Sequence, residues 1–295
     1  MKHKGLAAPF HEAYTISILI FGGVFMQQIE IFPLPGSDAR MVGYLHRTLV
    51  EMEDYRTKRP CVLIFPGGGY EMLSQREADP VAFHFFEKGY QVFILFYSLK
   101  EKSKDMQVLM EGSAAIMALR DHSEEWNILE DQIAVCGFSA GGHAAASVGI
   151  LWNHPSLLEK MDTHNGKNRP NAMILSYPVI TAGKFAHQGS LQWISGAPEG
   201  TEQNEFWALD RHVDSTTPPT FVWHTVEDDC VPIENTLLLI NALQKNHISY
   251  ECHLYPHGGH GMSVCTVEVG TPNARARSWV NLCDDWLEEL FSFSE

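Results

Sequence analysis

A serine hydroxyl attacks a carbonyl only when a base takes its proton, and one stretch of this chain presents a serine in a setting suited to that chemistry. In Val135-Cys136-Gly137-Phe138-Ser139-Ala140-Gly141-Gly142-His143 a short β-prone run meets a serine fenced by glycines and followed by small helix-forming residues. A serine raised on a sharp strand-to-helix turn needs small residues two before and two after it, so that strand and helix can pass closely. Gly137 and Gly141 meet that demand. The plain alternative is a glycine-rich turn ahead of an alanine-rich helix, and these nine residues alone do not separate the two.

The serine needs an imidazole to accept its proton and a carboxylate to hold the imidazole in the right tautomer. Both residue types recur after apolar runs, in Val226-Glu227-Asp228-Asp229-Cys230-Val231-Pro232 and in Pro256-His257-Gly258-Gly259-His260-Gly261-Met262. The chain order is therefore Ser, Asp, His, with Asp229 and His257 as competitors for the last two roles. A further glycine run, Pro66-Gly67-Gly68-Gly69-Tyr70, follows a buried strand and could turn backbone N–H groups toward one point, as an oxyanion site requires. No Gly-Lys-Ser/Thr follows, which disfavours a phosphate loop. His253, His257 and His260 have the spacing of helical metal ligands, but Pro256, Gly258 and Gly259 preclude a regular helix, so no metal is expected. His143 and His224 are expected to pack rather than react, and Arg76-Glu77 to form a solvated or buried structural pair, with service at the site as the alternative.

The elements that must hold these residues follow from apolar patterning. Pro60 to Phe65 is apolar throughout, as strands buried on both faces of a parallel sheet are. Tyr90 to Tyr97, Gln132 to Cys136, Ala172 to Tyr177, Thr220 to Thr225 and Tyr250 to Tyr255 read as further strands, and Gln27 to Leu34 with Ala39 to Arg47 as a peripheral antiparallel pair. Ser74 to Lys88, Asp105 to His122 and Pro232 to Leu243 show helical spacing. A closing amphipathic helix runs from about Ala274 to Phe291, with Trp279, Leu282, Cys283, Trp286 and Leu290 on one face. The alternation predicts an α/β fold with a mostly parallel, doubly wound sheet flanked by helices, and places Ser139 at the carboxyl end of a strand, where such sheets put their sites. The stretch 178–219, carrying Phe185, Trp193, Phe206 and Trp207, is too long for an ordinary connection and is expected to be a short cap insertion lining the substrate pocket.

With 295 residues and 45% hydrophobic content, the chain can bury roughly three quarters of its unfolded surface, enough for one large domain over residues 26–295. The formal charge of −15, without a basic cluster, argues against nucleic acid or an anionic membrane as partner. Six cysteines lack Cys-x-x-Cys spacing and read as reduced thiols of a cytoplasmic protein. Lys2, His3 and Lys4 ahead of the apolar run Thr15 to Met26 mimic an export signal. Glu12 interrupts the approach, no Ala-x-Ala-like site follows, and the run is too short to span a bilayer. Residues 1–25 are expected to be a dispensable extension, with export as the alternative to cytoplasmic placement.

These motifs together resemble the α/β-hydrolase superfamily, and within it the bacterial esterase/lipase group related to hormone-sensitive-lipase-type and acetyl-xylan-type carbohydrate esterases. The similarity covers about Gln27 to Leu290. It rests on residues 66–70, on Ser-x-Arg-Glu-Ala-x-Pro-Val-Ala at 74–82, on 137–143, on His-x-x-x-Asp-x-x-Val-Pro at 224–232 and on His-Gly at 260–261. The resemblance implies Ser139 as nucleophile, Asp228 as acid and His260 as base, with the N–H groups of Ala140 and of Gly68 or Gly69 as oxyanion donors. Pro66 stands where the lipase-type loop has a histidine, which places the chain nearer the carbohydrate esterases. The implied function is hydrolysis of a short acyl ester, acetyl above all, on a small-molecule or oligosaccharide alcohol, without a cofactor. Tyr70, Trp193 and Trp207 are the substrate contacts expected, and self-association into a homo-oligomer is left open. The rivals are a serine peptidase or lipase of the same fold and a non-catalytic binding protein.

Overall fold

Strands that are apolar on both faces are stable only inside a sheet covered on both sides, and the computed structural model, which describes residues 16–17, 26–49, 51 and 56–294, has that arrangement. Among the described residues the strands are β1 (Ile16–Ser17), β2 (Met26–Ile31), β3 (Arg40–His46), β4 (Arg59–Phe65), β5 (Gln91–Phe96), β6 (Ile128–Phe138), β7 (Ala172–Ser176), β8 (Thr220–Thr225) and β9 (Tyr250–Tyr255). They form one sheet in the order β1-β2-β3-β5-β4-β6-β7-β8-β9. The pairs up to β3·β5 are antiparallel, and all those from β5 to β9 are parallel.

Helices close both faces: α1 (Asp79–Glu87), α2 (Gln107–Asp121), α3 (Ala140–Ile150), α4 (Pro155–Leu158), α5 (Gln188–Ser195), α6 (Glu202–Glu205), α7 (Glu234–Lys245) and α8 (Ser278–Phe291). Alternate strand residues face opposite layers. Leu63, Val135, Leu175 and Val222 pack with Leu119 of α2, Ala144 of α3 and Leu239 of α7, whereas Ile64, Cys136, Ile174 and Trp223 pack with Phe85 of α1 and Trp279 and Cys283 of α8. Strand order reverses between β4 and β6: the chain leaves β4 toward β5 and returns to pair β6 on the other side. Such a switch point opens a crevice at the carboxyl ends of its two strands. None of the helices among the described residues is long and apolar enough to cross a membrane.

Several boundaries differ from the sequence reading. The helix expected from Ser74 starts at Asp79, with Pro80 in its first turn, and Gln75–Glu77 forms a separate 3-10 turn. Proline suits a first helical turn, where its missing N–H has no helical partner to lose. The closing helix begins at Ser278, and Leu290 is an exposed member of its expected stripe; Leu287 and Phe291 are buried in its stead. The insertion 178–219 contains α5 and α6. Ile16–Ser17 pairs with Glu30 and Ile31 of β2, so an edge strand precedes Met26; the rest of 1–25 lies outside the described residues.

Candidate active site

The turn from β6 into α3 carries Ser139 at φ 55° and ψ −121°, a left-handed conformation that costs a non-glycine residue of order 1–3 kcal/mol and persists only where its surroundings enforce it. The enforcement is visible. The Ser139 N–H donates to the carbonyl of Ser176 (3.0 Å), and the Ser139 carbonyl accepts from Val179 (3.1 Å). A Cβ on Gly137 would stand 2.2 Å from the Gly141 carbonyl oxygen, and one on Gly141 would stand 2.1 Å from that of Phe65. Strand and helix thus approach backbone to backbone at the two positions where the sequence has glycine.

The loops after β8 and β9 bring the other two groups to this turn. His260 Nε2 lies 2.7 Å from Ser139 Oγ, and His260 Nδ1 lies 2.7 Å from Asp228 Oδ2. Since the carboxylate can only accept, Nδ1 carries the hydrogen and Nε2 is free to take the serine proton. Asp228 Oδ1 accepts from the N–H groups of Cys230 (3.0 Å) and Val231 (2.9 Å). Burial pushes its carboxyl up, but the hydrogen bonds from His224 and His260 outweigh burial and hold it well below the usual carboxylate range. Asp229 is exposed, and His257 is exposed and bonded to Glu227. His253 pairs with Glu251, so the three histidines of the apparent metal spacing face three different partners.

The loop after β4 supplies the third component. Tyr97 donates its hydroxyl hydrogen to the Pro66 carbonyl (2.5 Å), and the Gly67 N–H donates to Glu77 Oε2 (2.9 Å). Gly68 and Gly69 then take φ of 124° and 68°, where glycine alone is unstrained. The N–H groups of Gly68, Gly69 and Ala140 make no hydrogen bond to the described residues. They lie on the two turns that follow β4 and β6, beside the switch point.

The expected aromatic contacts require correction. Tyr70 is fully buried, and its hydroxyl bonds His143 Nδ1 (2.8 Å). Trp207 is 3% exposed, its ring near His143 and its carbonyl accepting from His143 Nε2 (3.0 Å). Both pack beneath the turn that carries Ser139; Tyr70 has no surface for a ligand, and Trp207 borders a cavity with Met106, Ile194 and Phe206 whose lining includes neither Ser139 nor His260. Trp193 differs: half-buried, it donates Nε1–H to Glu71 Oε1 (2.9 Å) just past the glycine loop. Two residues near the site were missed or underweighted by sequence reasoning. Glu77, read as part of a structural pair, touches the glycine loop directly. His187, on the insertion, places Cε1 3.8 Å from where a Cβ of Gly69 would stand; burial first, then the proximity of His260, lowers its pKa. No sequence signal marks it, because a histidine in an irregular stretch has no periodic or motif context.

The BD-FAE family profile matches residues 50–243. The chain is 32% identical over 234 residues to endo-1,4-beta-xylanase B of Butyrivibrio fibrisolvens, a match covering 77% of this chain and 36% of that protein. It is 29% identical over 209 residues to an acetylxylan esterase of Xylanibacter ruminicola, covering 68% of this chain and 40% of that one. The chain thus spans well under half the length of these curated relatives. Among solved structures, an acetyl ester-xyloside bifunctional hydrolase from Caldicellulosiruptor lactoaceticus is similar with a TM-score of 0.74 at 32% identity, covering 87% of this chain and 89% of that one.

Proposed function

We propose that this chain, which belongs to the BD-FAE family and has the α/β-hydrolase fold, hydrolyses carboxylic esters by a Ser139–His260–Asp228 triad and acts on short acyl, chiefly acetyl, esters of carbohydrates. The observation that carries the reading is His260, whose two ring nitrogens each lie 2.7 Å from a group they must serve. Ser139 Oγ adds to the acyl carbon as Nε2 takes its proton, and Asp228 stabilises the imidazolium so formed. The carbonyl oxygen, now negative, is within the compass of the Ala140 N–H and those of Gly68 and Gly69; one such donor is typically worth about 100- to 1000-fold in kcat. Collapse of the tetrahedral species expels the alcohol with the proton held on Nε2. Water, deprotonated by the same nitrogen, then releases the acid and regenerates Ser139. The acetyl and carbohydrate parts are supported by the acetylxylan esterase and acetyl ester-xyloside hydrolase relatives.

A panel of nitrophenyl acetate, acetylated xylo-oligosaccharides and aminoacyl amides, assayed with wild type and Ser139→Ala, tests this reading. Ester turnover by wild type and its loss in Ser139→Ala is the expected result. Retention of more than about a tenth of the activity by the variant removes the nucleophile assignment, since triad members act as a unit. Amide turnover above ester turnover would indicate a peptidase, and no turnover of any member would indicate a binding protein.

A further inference from the structure

Glu77 is 2% exposed, and a carboxylate taken out of water loses several kcal/mol of hydration unless its oxygens find good donors. Its donors come from the glycine loop after β4 and from Tyr177, just past β7. Oε2 accepts from the Gly67 N–H (2.9 Å), the first peptide of the glycine loop, and Oε1 accepts from the Tyr177 hydroxyl (2.8 Å). Tyr177 follows β7 at φ 38°. Its oxygen accepts in turn from the N–H of Ser263 (2.8 Å), three residues past His260, and its ring centroid lies 5.1 Å from that of His260. Ser263 Oγ closes the circuit by donating to the carbonyl of Arg76, the residue before Glu77. The glycine loop and the histidine loop, with Gly67 and Ser263 196 residues apart in the chain, thus meet through one carboxylate.

We propose that Glu77 is a positioning residue for the reaction, holding the Gly67 peptide so that the next two N–H groups face Ser139 and, through Tyr177 and Ser263, fixing the His260 loop against it. The inference rests on the esterase reading above and adds to it a residue that touches neither substrate nor nucleophile. Gly67 has a steric reason to be glycine in this arrangement: a Cβ there would stand 2.6 Å from Glu77 Oε2 and 3.0 Å from Ser139 Cβ. Burial raises the Glu77 pKa, and the hydrogen bonds from Tyr177 and Gly67 oppose that, as expected of a group held for its acceptors.

The test compares wild type, Glu77→Ala, Glu77→Gln and Tyr177→Phe, with active sites counted by stoichiometric uptake of a nitrophenyl phosphonate, in which Ser139 Oγ bonds phosphorus and nitrophenolate leaves. Turnover of nitrophenyl acetate is then expressed per titrated site, so unfolded protein does not enter. Glu77→Ala is expected to lower kcat about 100-fold, the scale of losing oxyanion alignment, with KM within about threefold. Glu77→Gln should retain more than about a tenth of wild-type kcat, because its amide oxygen still accepts from Gly67 while its NH2 donates to the Tyr177 oxygen. Tyr177→Phe cuts only the tie to the histidine loop and should cost about 10-fold in kcat, the lower end of what an aligned base supplies. A kcat per site for Glu77→Ala within threefold of wild type overturns the inference, whatever happens to Tm; so does an unchanged Tyr177→Phe, which serves if Glu77→Ala does not fold. Failure of wild type to take up the phosphonate counts against the esterase reading, whereas uptake with normal Glu77→Ala turnover counts against this inference alone.

Discussion

Oδ2 of Asp228 lies 3.3 Å from Nε2 of His224, a histidine with no exposed surface. That nitrogen is also 3.0 Å from the Val231 carbonyl, which can only accept, so it carries the hydrogen, while Nδ1 faces the Thr236 hydroxyl at 2.8 Å. Asp228 is therefore surrounded by donors from His224, His260, Cys230 and Val231, and its orientation toward His260 is fixed from several sides. Its neighbour Asp229 points to solvent without such support.

From this asymmetry, Asp228→Asn should lower kcat by about 1000- to 10,000-fold, since an amide in that place favours the wrong tautomer of His260. Asp229→Asn should stay within about twofold of wild type, as surface substitutions commonly do. Steady-state kinetics on nitrophenyl acetate decides the matter, and the reverse ranking would move the acid to Asp229.

Beneath the elbow, His143 accepts the Tyr70 hydroxyl at Nδ1 and donates from Nε2 to the Trp207 carbonyl. Burial, partly opposed by that carbonyl, lowers its pKa from 6.5 to about 4. Between those values the unfolded chain binds the proton and the folded one does not, so stability is complete above pH 6.5 and falls as pH falls through the window, by roughly 3 kcal/mol in all. His46, also lowered to about 4 by burial, adds in the same direction. His143→Gln keeps an acceptor for Tyr70 and a donor for Trp207 but does not titrate. Its Tm should therefore decline less than that of wild type between pH 7 and pH 5; identical declines would show that His143 titrates in the fold much as it does in water.

Two glycines near the site should respond oppositely to the same change. Gly141→Ala drives a methyl into the Phe65 and Pro66 carbonyls, neither of which can move without shifting β4 or the glycine loop, and should yield little soluble protein. Gly259→Ala, beside His260, meets open space and should keep Tm within a few degrees and kcat within about threefold, the usual range for an uncrowded surface change. Soluble, active Gly141→Ala would mean that the close passage of strand and helix is not required.

The parallel sheet and the grouping of Ser139, Asp228 and His260 were legible because each has a signal confined to a few residues. Pro60 to Phe65 can only be a buried strand, and Gly137 and Gly141 mark a turn where a Cβ cannot fit. What was illegible depends on which side of an element a residue faces within an irregular stretch. Tyr70 adjoins the glycine motif and Trp207 lies on the insertion, yet both turn inward to His143. Glu77 looked like half of a structural pair with Arg76 because its partners, Gly67 and Tyr177, are 10 and 100 residues away. His187 reaches the glycine loop only because α5 folds the insertion back over it.

For the proposed sugar ester, Trp193 is the tryptophan of the insertion with ring surface to offer, since Trp207 is 3% exposed. Its ring is half-buried, its indole N–H is taken by Glu71, and Lys104 approaches its face at 6.0 Å. A pyranose can stack its C–H face on such a ring, whereas a nitrophenyl acetate held only by its acyl group has no need of it. Trp193→Ala should therefore raise KM several-fold for an acetylated xylo-oligosaccharide and leave both constants for nitrophenyl acetate within about twofold; contacts made equally in ground and transition state appear in KM. Along a series of acyl chains from two to twelve carbons, kcat/KM should be greatest at two, because the stretch 178–219 mixes its aromatics with Gln188, Glu199, Glu202 and Gln203 rather than with a continuous apolar lid. A maximum at eight carbons or beyond would discard the carbohydrate substrate in favour of a lipase. Equal effects of Trp193→Ala on both substrates would assign the ring to packing of the glycine loop instead.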